Sequence, residues 1–480
     1  MRLLLCVLPL MLACSDDAPP ASSVPTAQAP TAATPPSRGP NVLFVSLDTV
    51  SAEHMALYGG PATMPNLEAV AAAGTTFDHA ISHFPETALS HWSMMTGALP
   101  AVHGNVPAYG NSRFTGPTLA ERLRASGMRT AAFIGGETLT DRSTGMSRGF
   151  EIYDDAYPWD RKDLRRPAAE VVAAATAWMS EQYRSNQPYF AFVHLFDAHF
   201  PYTPAPPWDT AYTQGYTGTL TGSDEDLRPY RDGQKTPSAA DIAHIAGLYQ
   251  GELSEMDAAL KPLFEHESMA NTIVVVTSDH GESFRHDYWF NHRGGLWDEI
   301  TRVPLVIRGP DLPEGERRDG VVGLVDLSPT LLGRLDLAPL DGVHGMDLGP
   351  TLKGAEGQDR VAFSITDPAR PNPQFAARSH DHKLIAPAAD GMPVLDRALS
   401  YDLRVDPLEA KPDAPLPEPM ESIGSVYQAK LQRVMARWQG PAPERRQPEQ
   451  AEIERLKALG YVDEPGAEQP RPAPGPPPRP

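Results

Sequence analysis

The 480-residue chain carries 61 acidic against 41 basic residues, a net charge of −20 that argues against a nucleic-acid partner. It does not exclude an anionic substrate, because a bound cation inverts the local field. Only two cysteines occur, Cys6 and Cys14; loss of Cys6 with a leader would leave no pair for a disulfide, so stability rests on packing and bound metal.

In chain order, Arg2 precedes the apolar run "LLLCVLPLMLA", too short to span a bilayer but the right length for a signal core. Residues 1–14 are similar to a bacterial lipoprotein signal, with small Ala13 before Cys14 and "SDDAPPASS" after it. On that basis Cys14 is the expected lipidated residue, and the chain is expected in a bacterial cell envelope, periplasm-facing or on the outer membrane. Residues 15–40 are Ala, Pro, Ser and Thr with almost no large apolar side chain, and read as a disordered tether. At roughly 3.1 Å per residue it reaches about 80 Å. The Pro-rich stretch 463–480 reads as a second disordered segment.

Between these ends, apolar runs suit buried strands: "NVLFVSLD" (41–48), "RTAAFIGG" (129–136), "PYFAFVHLFD" (188–197), "NTIVVVTSDHG" (271–281) and "VPLVIRG" (303–309). Their continuous hydrophobicity predicts parallel strands covered by helices on both faces. Helical periodicity lies between them. "AAEVVAAATAWMSEQY" places Val171 or Val172, Ala175, Trp178 or Met179 and Tyr183 on one stripe, and "IAHIAGLYQGELSEMDAALKPLF" reads similarly. The expectation is an α/β doubly wound sandwich over 41–317, followed by a smaller C-terminal subdomain with terminal helices over 318–462.

Polar residues gather where these strands end. Asp48 ends the first, Asp197 and His199 follow the third, and Asp279 with His280 follows the fourth. Ligands of open α/β sheets bind at carboxyl strand ends. Each Asp on its own could cap the next helix, but this many carboxylates at one edge repel unless a cation neutralises them. Mixed Asp and His ligation suits Zn²⁺ or Mn²⁺ better than Ca²⁺. Further along, "FPETALSHWSMMTG" (84–97) holds four hydroxyls, Thr87, Ser90, Ser93 and Thr96, each a poor nucleophile without a base or metal.

"PNVLFVSLDTVSAEHMALYG", "TALSHWSMMTG", "FVHLFDAHFPY", "TIVVVTSDHGE", "NHRGGLWDEITRVPLVIRGP", "VDLSPTLL" and "LSYDLRVDPLE" follow one another from about Pro40 to Asp406. In that order they resemble the successive motifs of the sulfatase family in the alkaline phosphatase superfamily, and the late "IERLKALGYVDE" resembles a tail of the same group. The resemblance implies an alkaline phosphatase-like fold and a metal-dependent ester hydrolase. It assigns Asp48, Asp279, His280 and the Thr87 oxygen as metal ligands, Thr87 as nucleophile, and His199 and His292 as catalytic groups on the transferred group or leaving oxygen. Ser90 and His91 would hold the nucleophile or substrate oxygens. Asp197, His199 and His292 fall near places that bind a second cation in binuclear relatives, but the spacing of "DAH" favours one metal. Arg293 would then supply the fixed positive charge, or else form an ion pair with Asp298 or Glu299.

Departures from the family pattern bear on the substrate. Thr87, Leu89 and His91 stand where formylglycine sulfatases have the converted residue, Pro and Arg; "FIGGET" replaces a "GKWH" stretch, and Thr49 replaces an acidic residue. Threonine cannot become formylglycine. The expected substrate is a sulfate or phosphate ester of a glycan, a lipid head group or a small molecule. A phosphodiesterase or phosphonate hydrolase, a lipoteichoic acid synthase-like phosphotransferase, or a non-catalytic surface lipoprotein binding anionic glycans are the alternatives. The inserts around Trp208, Tyr212, Tyr216 and Tyr230 and around His380, His382 and Lys383 carry no motif; their aromatics suit sugar stacking or lid packing, their basic groups an anion or a solvated turn.

Overall fold

A computed structural model describes residues 39–104, 114–156, 165–355, 360–368, 372–389 and 392–412, with a few isolated positions beyond. Cys14, the tether up to residue 38 and the Pro-rich tail lie outside the described residues. No helix among the described residues is long and apolar enough to cross a membrane.

Strand β1 (Asn41–Leu47) is buried throughout, and its alternating side chains serve two cores. Val42 and Phe44 pack with the helices Thr87–Thr96, Leu119–Ala125 and Leu327–Arg334. Leu43, Val45 and Leu47 pack with the helices Pro65–Ala72, Ala168–Arg184 and Ala239–Phe264. A strand flanked by helices on both sides needs apolar residues at every position, which is why "NVLFV" shows no alternation. In the helix Ala168–Arg184, Val171, Ala175, Trp178 and Met179 join the core against the sheet as their spacing predicts, whereas Tyr183 is 41% exposed and Gln182 takes the buried position in the last turn.

The remaining strands are β2 (Thr75–Ile81), β3 (Arg129–Ile134), β4 (Ile152–Asp154), β5 (Tyr189–Leu195), β6 (Thr272–Ser278), β7 (Arg302–Val303), β8 (Leu305–Arg308) and β9 (Glu316–Gly323). Among the described residues these nine form one sheet, ordered β4-β3-β5-β1-β6-β8-β2-β7, with β9 also on β2. Parallel β5 and β6 flank β1. The expectation of parallel pairing fails at residues 303–309: β8 is antiparallel to β6, and the segment 279–304 between them carries only the four-residue helix Asp298–Thr301 instead of a long covering helix. β9 spans residue 318 and pairs with β2 inside the main sheet.

A second, antiparallel sheet comprises β10 (Ala362–Ile365), β11 (Gln374–Arg378), β12 (His382–Ala389), β13 (Met392–Pro393) and β14 (Leu399–Asp402). Its Phe363, Phe375 and Leu384 join the core that contains Val42 and Phe44. The architecture is an alkaline phosphatase-like α/β/α sandwich with a smaller C-terminal sheet packed on it.

Candidate functional site

Strand parity builds the site. Beyond Val42 and Phe44, the next side chains on the same face are Ser46 and Asp48, so both meet the helix Thr87–Thr96 on that side. Ser46 Oγ lies 2.8 Å from His91 Nε2. Thr87, the first residue of that helix, donates from Oγ1 to Asp48 Oδ2 at 3.1 Å. Gly97, with φ +66°, ends the helix in a conformation few other residues adopt. From the adjacent strand His194 has the same parity and register, pairing opposite Ser46, and its Nε2 reaches Asp48 Oδ2 at 3.1 Å.

β6 brings in the other half. Asp279 and His280 follow its last residue, and one ligand atom each from Asp48, Asp279 and His280 lie within 4.8 Å of one another, all fully buried. Gly281 permits this turn: a Cβ there would stand 2.3 Å from the Glu299 carbonyl oxygen. Thr49 adopts φ +57°, unusual for a β-branched residue, and so turns its N–H onto Asp279 Oδ1 at 3.2 Å. Tyr249 Oη donates to the Thr49 carbonyl at 2.7 Å and braces the same turn.

Several buried atoms here have no hydrogen-bond partner: Asp48 Oδ1, Asp279 Oδ2 and His280 Nε2. His280 donates from Nδ1 to the Gly281 carbonyl at 3.0 Å, which leaves its Nε2 lone pair toward Asp279 Oδ2 at 3.3 Å. Burial and the charge of Asp279 push the Asp48 carboxyl well above the usual range. Burial would also raise Asp279, but His280, His91 and His194 outweigh it and hold it low. For His280 burial acts downward, and the carboxylates of Asp279 and Asp48 outweigh it. Two carboxylates, a correctly oriented imidazole and three unmet polar atoms fit a divalent cation.

The other sequence-derived residues separate into groups. Ser90 donates to the Asp279 carbonyl at 2.8 Å, and both nitrogens of His91 are taken, Nδ1 by the Thr87 carbonyl at 2.7 Å and Nε2 by Ser46. Both brace the helix Thr87–Thr96, Ser90 against the Asp279 carbonyl and His91 against Ser46 of β1. Asp197 accepts from the Ala168 N–H at 2.9 Å and so holds the start of the helix Ala168–Arg184, outside the Asp48–Asp279–His280 cluster. His199 donates from Nδ1 to the Phe200 carbonyl at 2.8 Å, and its ring centroid is 5.4 Å from that of His292. His292 lies 4.3 Å, ring to ring, from His280. Burial drives both His199 and His292 well below the ordinary imidazole value.

Arg293 pairs with neither Asp298 nor Glu299. Its Nε meets Glu86 Oε1 at 3.4 Å, and Glu86 immediately precedes Thr87, so this buried guanidinium stands beside the start of the helix Thr87–Thr96. Asp298 is instead held by Lys383 and Arg378, and Glu299 accepts from Ser283 Oγ and the Phe284 N–H. Lys383 is therefore an internal counter-ion and not part of a solvated turn or an anion site. The insert aromatics pack: Tyr212 bonds Ser254 and Thr63, Tyr216 stacks on His244 at 3.8 Å, and Tyr230 meets Phe290 edge-on. Sequence reasoning passed over Glu86, His194 and Glu282. Of these, only His194 left a signal, an imidazole inside an apolar strand with the parity of Asp48.

Residues 40–337 match the sulfatase family profile. An ulvan-active sulfatase of Formosa agariphila is 24% identical over 68% of this chain and 67% of its own length. A structure solved in complex with its substrate D-glucosamine-2-N,6-O-disulfate superposes with a TM-score of 0.62 at 18% identity, covering 88% of this chain and 99% of the other. The phosphonate monoester hydrolase of Agrobacterium radiobacter gives 0.63 at 21% identity over 85% and 100%. These two structures share the fold. The family profile extends over more than half of the chain and spans every strand of the main sheet, and on that ground the protein belongs to the sulfatase family and is a hydrolase of ester bonds.

Proposed function

We propose that the chain is a metal-dependent hydrolase of anionic esters in which Thr87 is the nucleophile. The observation that carries this reading is the 3.1 Å hydrogen bond from Thr87 Oγ1 to Asp48 Oδ2 at the first turn of a fully buried helix. Asp48, Asp279 and His280 would hold one divalent cation, Mn²⁺ or Zn²⁺ in preference to Ca²⁺, and that ion would supply Lewis-acid charge next to the Thr87 hydroxyl. Asp48 accepts the hydroxyl hydrogen bond and orients Oγ1. The amide dipoles of the helix Thr87–Thr96 favour the negative charge that develops on the transferred group. Arg293, fixed by Glu86, adds a planar donor fork on the same side. His199 and His292 serve the leaving oxygen.

The side chain of Thr87 favours phosphorus over sulfur. An aldehyde hydrate can expel sulfate by collapsing, whereas an ester on threonine is cleared only by water attacking the same centre, as in phosphate and phosphonate ester hydrolysis. Matched aryl sulfate, phosphomonoester, phosphodiester and phosphonate substrates decide between them. Thr87→Ala should lower turnover by about 10³-fold or more with metal content unchanged, and Thr87→Ser should retain measurable activity. Rapid-quench mass spectrometry should find the transferred group on the Thr87 peptide. Near wild-type turnover in the alanine variant would remove Thr87 from the mechanism.

We propose further that Cys14 is lipidated and tethers the domain to the cell envelope. The basis is the Arg2-led apolar run ending in Ala13–Cys14. Cys14→Ser should move the protein from the detergent phase to the soluble fraction; unchanged partition would count against the anchor.

A further inference from the structure

The segment after His280 folds back on itself. Ser283 and Asn291 form an isolated bridge, with the Ser283 N–H on the Asn291 carbonyl at 3.0 Å and the Phe290 N–H on the Ser283 carbonyl at 2.7 Å. The two residues just outside this closure, Glu282 and His292, are thereby set side by side. Glu282 is fully buried, His292 is 3% exposed, and Glu282 Oε1 lies 3.2 Å from His292 Nδ1. The Asn291 side chain accepts from the His292 N–H at 2.9 Å and fixes the backbone at that point. Glu282 does not belong to the Asp48–Asp279–His280 cluster, so its carboxylate is left for another task.

We propose that Glu282 is a positioning residue that fixes the tautomer and orientation of His292. A carboxylate only accepts hydrogen bonds, so it selects the form of the imidazole with the proton on Nδ1. Nε2, on the opposite side of the ring, is then the acceptor. The ring that Glu282 steers stands 4.3 Å from that of His280, one of the three residues of the candidate cation site. This parallels the way a carboxylate orients the histidine of hydrolytic triads, on an unrelated scaffold. The effect on turnover rests on the proposed function; the tautomer does not.

The test therefore has two independent readouts on metal-loaded protein. In ¹⁵N-histidine protein, long-range ¹H–¹⁵N spectra, with His292 identified by its loss in His292→Asn, should show a single Nδ1-protonated form in the wild type. Glu282→Gln, which offers both an acceptor and a donor, should give a mixture. Glu282→Met, which offers neither, should shift His292 to the Nε2-protonated form. On whichever ester the wild type hydrolyses, Glu282→Met should lower kcat by about tenfold or more with KM within about twofold, and Glu282→Gln should fall between. An unchanged His292 spectrum in both variants would overturn the proposal. A wild type inactive on all four ester classes would instead overturn the functional reading, and the spectra would still decide the role of Glu282.

Discussion

Two buried clusters of carboxylates lie in this molecule, and they are neutralised in opposite ways. Where the C-terminal sheet meets the main body, Asp298 and Glu409 share Lys383, at 2.7 and 3.1 Å, and Arg378 adds a bond to Asp298 at 3.3 Å. Thr301 and the Asp298 N–H complete that network. At the strand ends Asp48 and Asp279 have no lysine or arginine partner among the described residues; they meet imidazoles, the Thr87 hydroxyl and the N–H groups of Thr49 and His280, and one atom on each carboxylate lacks a hydrogen bond. Burying an unpaired charge costs far more than burying a paired one. One cluster is therefore a clamp complete in itself. The other has the donor set of a cation site, and a bound cation would complete it.

The largest test of that contrast is metal removal. Chelation should abolish turnover and lower the unfolding midpoint, and re-addition of Mn²⁺ or Zn²⁺ at about 100-fold over its Kd should restore about 2.7 kcal/mol. Elemental analysis checks the loading; a stoichiometric calcium content with full activity would show that His280 is not a ligand. Lys383→Met comes next. It should cost about 3–5 kcal/mol in urea unfolding by leaving Asp298 and Glu409 uncompensated, yet leave metal content unchanged. Loss of metal in that variant would show that the clusters are coupled.

A smaller effect concerns pH. Burial alone would raise Asp298, but Lys383 and Arg378 outweigh it and depress its carboxyl below the ordinary range. A depressed folded-state value stabilises above the unfolded value and is lost as pH falls, so urea midpoints should drop below about pH 4. Glu409 has the opposite sign. Burial pushes it up to about 7, so ionising it costs stability as pH rises toward that value. Stability from this cluster should peak at mildly acidic pH, and a flat profile would break the assignment.

Much of the main sheet was legible because β1, β3, β5 and β6 are apolar at nearly every position, the pattern of strands covered twice. β2 was not, since the half-buried Asp78 and His79 interrupt it at a register shift against β9. Asp48, Asp279 and His280 could be found because each ends a readable strand. Partners far apart in sequence could not: Glu86 and Arg293 are separated by more than 200 residues, as are Asp48 and Asp279. His194 hid in an apolar run, and only the register between β5 and β1 turns it into a neighbour of Asp48. The aromatic insert left sugar stacking and packing equally open in the sequence, and Tyr212 and Tyr216 pack against the helix Ala239–Phe264 through Ser254 and His244.

For anyone engineering this enzyme, Thr49 is a trap. A β-branched residue at φ +57° stores about 1–3 kcal/mol of backbone strain, and a stability screen would single it out for replacement by glycine or asparagine. Yet the strained turn is what presents the Thr49 N–H to Asp279 and the Thr49 carbonyl to Tyr249. A residue free to leave the left-handed region would relax the chain and at the same moment loosen the distance between the two carboxylates. The gain in melting temperature would come at the expense of the spacing of the candidate cation site.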